Sequence, residues 1–143
     1  MKPADERLVA ALTAEHAAVY GYGVLGPKLD SATIALARAA DNAHRTRRDA
    51  LLVRLTSDGI TPPPTAPSYQ LPFAVTDRAS ALQLAVQLED RTAAQWRLAL
   101  PATDGDLRKT VLDALVDCTT RAVAFRKAGS LTPLVAAFPG KTV

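Results

Sequence analysis

The chain of 143 residues and 15.1 kDa is the size of one domain and long enough to bury a single core. Hydrophobic residues make up 48% and charged residues 22%, a globular composition rather than a disordered one. A lone cysteine, Cys118, excludes an internal disulfide and a thiolate-rich zinc site, and two histidines exclude a His-rich metal centre.

Ten prolines leave four long proline-free segments, 4–26, 28–61, 73–100 and 102–132, and most of the 28 alanines lie within them. Alanine is the best helix former, and period-two alternation of β-branched and aromatic residues is absent, so an all-α fold follows. Helices are expected near 4–26, 31–58, 77–100 and 104–128. Asp30-Ser31 is placed to cap the second and Thr76-Asp77 the third, and Thr103 with Asp106 three residues on resembles a capping box for the fourth. Pro27, Gly59, Pro101 and Gly129 end the helices in turn.

The connections between helices 1 and 2 and between 3 and 4 are short, so each pair is expected as an antiparallel hairpin. Between helices 2 and 3 the sequence reads GITPPPTAPSYQLPFAV from Gly59 to Val75. At roughly 3.1 Å per residue such a proline-rich stretch reaches about 50 Å. A 25-residue helix spans only about 37 Å, so the connection is able to run the length of a bundle. Helices 2 and 3 would then lie parallel, the one-crossover connectivity of ferritin-like four-helix bundles. Tyr69, Leu71, Phe73 and Val75 are the expected anchors of that connection, and residues 129–143 form a C-terminal tail.

At about 100° per residue, helix 1 turns Leu8, Ala11, Leu12, Ala18, Val19 and Tyr22 inward with Glu15 at the centre of the stripe. Helix 2 centres on His44 among Ala37, Ala40, Leu51 and Leu55, with Asp41 and Arg48 within about 60° of it. Helix 3 centres on Glu89 among Leu82, Ala85, Val86, Ala93 and Trp96. Helix 4 supplies Val111, Leu112, Leu115, Cys118, Thr119, Ala122 and Phe125, with Asp113 and Asp117 on the opposite face. Three helices thus carry charge where apolar residues belong, and buried charge needs a partner.

A metal ion is one such partner. Ferritin-like sites take a Glu from each of two helices and Glu-x-x-His from the other two. Glu15, Glu89 and the shortened Asp41-x-x-His44 supply part of that set, and helix 4 lacks its share. The candidate metal ligands are therefore Glu15, Asp41, His44 and Glu89. The alternative is that Arg48 replaces the metal by pairing with Glu15 or Glu89, since a guanidinium satisfies two carboxylate oxygens at once.

The segments Ala14-Glu15-His16-Ala17-Ala18-Val19-Tyr20-Gly21-Tyr22-Gly23, His44-Arg45-Thr46-Arg47-Arg48-Asp49-Ala50-Leu51, Tyr69-Gln70-Leu71-Pro72-Phe73 and Ala137-Phe138-Pro139-Gly140 carry a resemblance to a known family. In them the chain resembles the actinobacterial ferritin-like family of unknown function, DUF4439. The resemblance spans nearly the whole chain, implies a ferritin-like four-helix bundle and brings no established activity.

The functional expectation is a non-enzymatic or small-molecule-binding bundle with a degenerate metal site and no cofactor. The alternative is a metal-dependent oxidoreductase using iron or manganese at Glu15, Asp41, His44 and Glu89. Net charge is +3 and the isoelectric point about 9.3, but the basic residues are scattered. Arg45, Arg47 and Arg48 project in three directions without interleaved aromatics, so nucleic acid is not an expected partner. No apolar run approaches the roughly 18–20 residues of a membrane span, and the N-terminus lacks the order of a secretory signal, so no membrane partner and a cytoplasmic location are expected. Gly21-Tyr22-Gly23-Val24-Leu25-Gly26 spells a dinucleotide fingerprint but lies at the end of a helix with no strand before it. Val9, Ala10, Ala17, Tyr20 and Val24 make helix 1 apolar on its outer face as well, which suggests a homodimer through that helix, with the tail as the competing cover.

Overall fold

The proline spacing marks out four helices: α1 (Pro3–Leu25), α2 (Ser31–Ser57), α3 (Arg78–Ala99) and α4 (Gly105–Ala128). The computed structural model of the chain describes residues 1–141, and among them there is no strand. Pro27 and Pro101 sit in 3-10 turns, Gly26–Lys28 and Leu100–Ala102, that directly follow α1 and α3.

Caps account for two of the starts. Asp30 accepts from the Thr33 backbone N–H ahead of α2. At α3, Asp77 accepts from the Ser80 N–H while the Ser80 hydroxyl accepts from the Asp77 N–H, a reciprocal capping box. The expected box at α4 does not form: Asp104 occupies the N-cap without a side-chain hydrogen bond, and the Thr103 hydroxyl donates back to the carbonyls of Ala99 and Leu100. Thr103 is therefore spent on closing the preceding turn. At the end of α2, Gly59 takes φ +76° and lets the Ile60 N–H reach the Leu55 carbonyl, as expected of a left-handed terminator. At the end of α4 that conformation belongs to Ser130 rather than Gly129.

α1 packs on α2 and α3, α3 on α4, and α2 more lightly on α4. The interior divides into two apolar clusters. One joins Leu8, Leu12, Leu51, Leu55, Ala93, Trp96, Val111 and Cys118. The other joins Tyr22, Leu25, Ala37, Ala40, Leu82, Ala85, Leu88 and Phe125. The start of α1 and of α4 lies in the first cluster together with the ends of α2 and α3, so α2 and α3 run opposite to α1 and α4. Ile60, just past α2, packs on the first cluster, while Leu71, Phe73 and Val75, just before α3, pack on the second. At the second cluster a Cβ on Gly21 would stand 2.6 Å from Leu88 Cδ1, so the absence of a side chain there sets how closely α1 and α3 approach.

One expectation about a helix face and one about hydropathy need correcting. The inward stripe of α4 is Val111, Ala114, Cys118, Ala122 and Phe125, and Leu112 is exposed. The segment Pro3–Lys28 is also long and apolar enough to cross a membrane, contrary to the count of apolar runs. Half of its most apolar stretch is buried within the bundle, as suits a core helix, and its alanines raise hydropathy without forming a run of large apolar side chains. The tail lies along α3 and α4, with Leu131 on the second cluster and Gly140 against Ala93, Arg97 and Leu115. Positions 142–143 of the tail lie outside the described residues.

Candidate functional site: a charged layer between two apolar clusters

Glu15, His44 and Glu89 fall between the two clusters in sequence on their helices, and each is completely buried. The helices bring all three into contact. His44 Nδ1 lies 2.6 Å from Glu15 Oε2 and Nε2 lies 2.7 Å from Glu89 Oε1. An imidazole whose two nitrogens both face carboxylates is best satisfied as the imidazolium, donating from each nitrogen. Burial alone would lower the His44 pKa, but the hydrogen bonds and charges of the two glutamates outweigh it and raise it to about 9. Burial likewise works to raise that of Glu15, and the His44 bond and charge, with Arg47 and Trp96, hold it below its ordinary value.

The layer extends to all four helices. Glu15 Oε1 accepts from Arg47 Nε at 2.9 Å and from the Trp96 indole N–H at 2.8 Å. Arg47 also donates from Nη1 to Asp117 Oδ2 at 2.7 Å, and Arg121 Nε donates to that same oxygen at 2.9 Å. The Arg47 Nη2 is 3.1 Å from His44 Nδ1 and 3.4 Å from Cys118 Sγ. Because Nδ1 has the shorter and charge-matched contact with Glu15, we take its proton to point there. The Arg47 approach is then two cations sharing one carboxylate. The Tyr22 hydroxyl donates to Glu89 Oε1 at 2.7 Å, so this oxygen receives two hydrogen bonds. The other, Oε2, is buried without a protein partner. Three carboxylates (Glu15, Glu89, Asp117) thus face three cations (His44, Arg47, Arg121). Burial and the Glu89 charge push the pKa values of both the Tyr22 hydroxyl and the Cys118 thiol well above their ordinary range, so both stay protonated at neutral pH.

Of the four candidate ligands, the structure joins Glu15, His44 and Glu89 and sets Asp41 apart. Asp41 Oδ2 accepts from Arg45 Nε one turn along α2. Among the described residues no group of three or more His, Cys, Asp and Glu side chains is arranged to hold a metal ion. The expected bridge from Arg48 is replaced by one from Arg47. Arg48 turns outward to Asp49 and lines a cleft with His16 and Pro62 to Pro64. Both arginines lie within about 60° of His44 on a helical projection, so the angle alone could not choose between them. Asp117 is only partly exposed and lies within reach of Arg47, contrary to its expected outward placement. The Tyr22 hydroxyl and the Trp96 indole N–H were also missed as members of the layer. Both are polar tips on stripe residues, two turns from Glu15 and Glu89 respectively, and that spacing is the signal that could have found them.

An all-α protein with a charge-balanced layer across its four helices is the class this geometry defines. The chain belongs to the DUF4439 family, described as a domain of unknown function, whose model matches residues 7–143. It is similar to a conserved hypothetical protein, rv2844, from Mycobacterium tuberculosis, whose crystal structure superposes with a TM-score of 0.85 at 35% sequence identity, covering 95% of this chain and 97% of that one. That relative agrees with the actinobacterial family expected from the sequence. No curated protein matches the chain.

Proposed function

We propose that this chain is a non-enzymatic, small-molecule-binding bundle of ferritin-like design, in which an ion-pair layer stands where a metal centre would lie. The ferritin-like reading includes a long proline-rich crossover between α2 and α3. It is supported by the opposite ends at which Ile60 and Val75 pack and by the common direction of α2 and α3.

The observation that carries the metal-free reading is His44 with a carboxylate on each ring nitrogen, at 2.6 and 2.7 Å. A metal ligand needs an unprotonated imidazole nitrogen and carboxylate lone pairs that converge on one point. Here the lone pairs of Glu15 are turned to N–H donors of His44, Arg47 and Trp96, and a guanidinium adds positive charge beside them. Among the candidate ligands Glu89 Oε2 and Asp41 Oδ1 are buried without a partner, but Asp41 is paired with Arg45 along α2 rather than with the layer, so the two oxygens do not make one site. This donor set does not fit a dinuclear centre.

The test is metal loading. Protein prepared without chelator, incubated with ferrous or manganous salt and desalted, should carry only trace metal by elemental analysis. Stoichiometric metal that is lost in His44→Ala would overturn this reading in favour of the oxidoreductase with Glu15, Asp41, His44 and Glu89 as ligands.

A further inference from the structure

Between α1, α3 and the 58–77 connection lies a second feature, a cavity of about 540 Å³, within the size range of small-molecule sites. Its floor is the outer face of α1, where Ala10, Ala14 and Ala17 leave room that larger side chains would fill. Tyr69 and Leu71 form a wall, held in place by the Tyr69 ring against that of Tyr20 at 5.8 Å between centroids. Two threonines also line it, but the Thr13 hydroxyl donates to the Val9 carbonyl and the Thr92 hydroxyl to that of Leu88. Their protons are used within their own helices, so the lining is mainly apolar, with Gln70 and Gln95 as its neutral polar members.

The charged side chain of that lining is Arg91 on α3, which is exposed and has no carboxylate partner among the described residues. Its neighbour Asp90 is taken by Arg126. The alanine floor from Ala10 to Ala17 runs about 10 Å along the helix. An apolar trough of that length with one guanidinium at its rim is complementary to a short amphiphile carrying one negative charge.

We propose that this cavity binds a medium-chain carboxylate, its apolar chain along the alanines of α1 and its head group on Arg91. The proposal rests on the small-molecule-binding reading above. Its failure leaves the metal-loading result untouched, and the reverse also holds.

The test is calorimetric titration of the full chain with octanoate and with octylammonium, probes of matched chain and opposite charge. Octanoate should bind saturably below its aggregation limit and more tightly than octylammonium. Arg91→Glu, at an exposed position, should weaken octanoate by about threefold to fivefold, the scale of a solvated ion pair, and reverse the preference. Ala14→Leu, if its melting temperature is retained, should abolish binding of both probes. No saturable octanoate binding to the wild type, or equal binding of the two probes to it, would overturn the proposal. So would a sedimentation result in which a second copy occupies this face and Ala14→Leu separates the dimer.

Discussion

The two apolar clusters and the charged layer between them are built from neighbouring turns of the same four helices, yet different physics holds them. Leu12 and Leu55 are fully buried on one side of the layer and Leu25 and Leu82 on the other, and each contributes in proportion to the apolar area it removes from water. Glu15, His44 and Glu89 are as deeply buried, but each is tolerated only because the others are present. The clusters are therefore tolerant of change in small steps, whereas the layer tolerates removal of all its charges better than removal of one.

The largest effect expected from that contrast is His44→Leu. It adds an apolar side chain but strands Glu89 with only the Tyr22 hydroxyl, and should cost about 3–5 kcal/mol in urea denaturation. Leu55→Ala, in the first cluster, should cost about 2–5 kcal/mol by leaving a cavity. The two differ in rescue: Glu89→Leu added to His44→Leu should recover much of the loss, and no second substitution in the charged layer should recover Leu55→Ala. A double variant no more stable than His44→Leu alone would place the cost in packing rather than charge.

Next in size is the pH dependence. The His44 pKa is raised in the folded chain to about 9 from an ordinary 6.5, so its contribution is fully present below pH 6.5 and is lost as pH rises through about 9. Glu15 is lowered, so its contribution is present above the ordinary carboxylate range and is lost at acid pH. Denaturation midpoints should accordingly fall from pH 7 to pH 10, by an amount equivalent to a few kcal/mol, and the fall should vanish in the His44→Leu, Glu89→Leu variant. A midpoint that stays flat across that range in the wild type would contradict the charged layer.

The sharpest comparison lies between adjacent arginines. Arg47→Ala removes a bond to buried Glu15 and should cost about 3 kcal/mol. Arg48→Ala removes only a surface contact with Asp49 and should stay within about 0.5 kcal/mol. Equal effects in thermal melts would show that the layer does not depend on Arg47.

That pair also marks how far the sequence could be read. The four helices were legible because prolines and caps punctuate them, and Glu15, His44 and Glu89 were legible because a charge at the centre of an apolar stripe is conspicuous. Arg47 was not, because its role depends on reaching across to Asp117 and Cys118 on α4, a neighbour whose rotation about its own axis decides which groups face the layer. The stripe of α4 was misjudged for a related reason. Its small residue Ala114 is buried while the larger Leu112 is exposed, so side-chain size misled where helix packing decided. The cavity beside Arg91 was beyond reach as well, since its wall comes from a connection with no periodicity of its own.

The most direct test of the account is the protonation state of His44, read from the ¹⁵N chemical shifts of its ring at neutral pH. Two protonated nitrogens, persisting until the pH approaches about 9, are the predicted result. One unprotonated nitrogen at pH 7 would contradict the ion-pair layer and return His44 to the pool of available metal ligands.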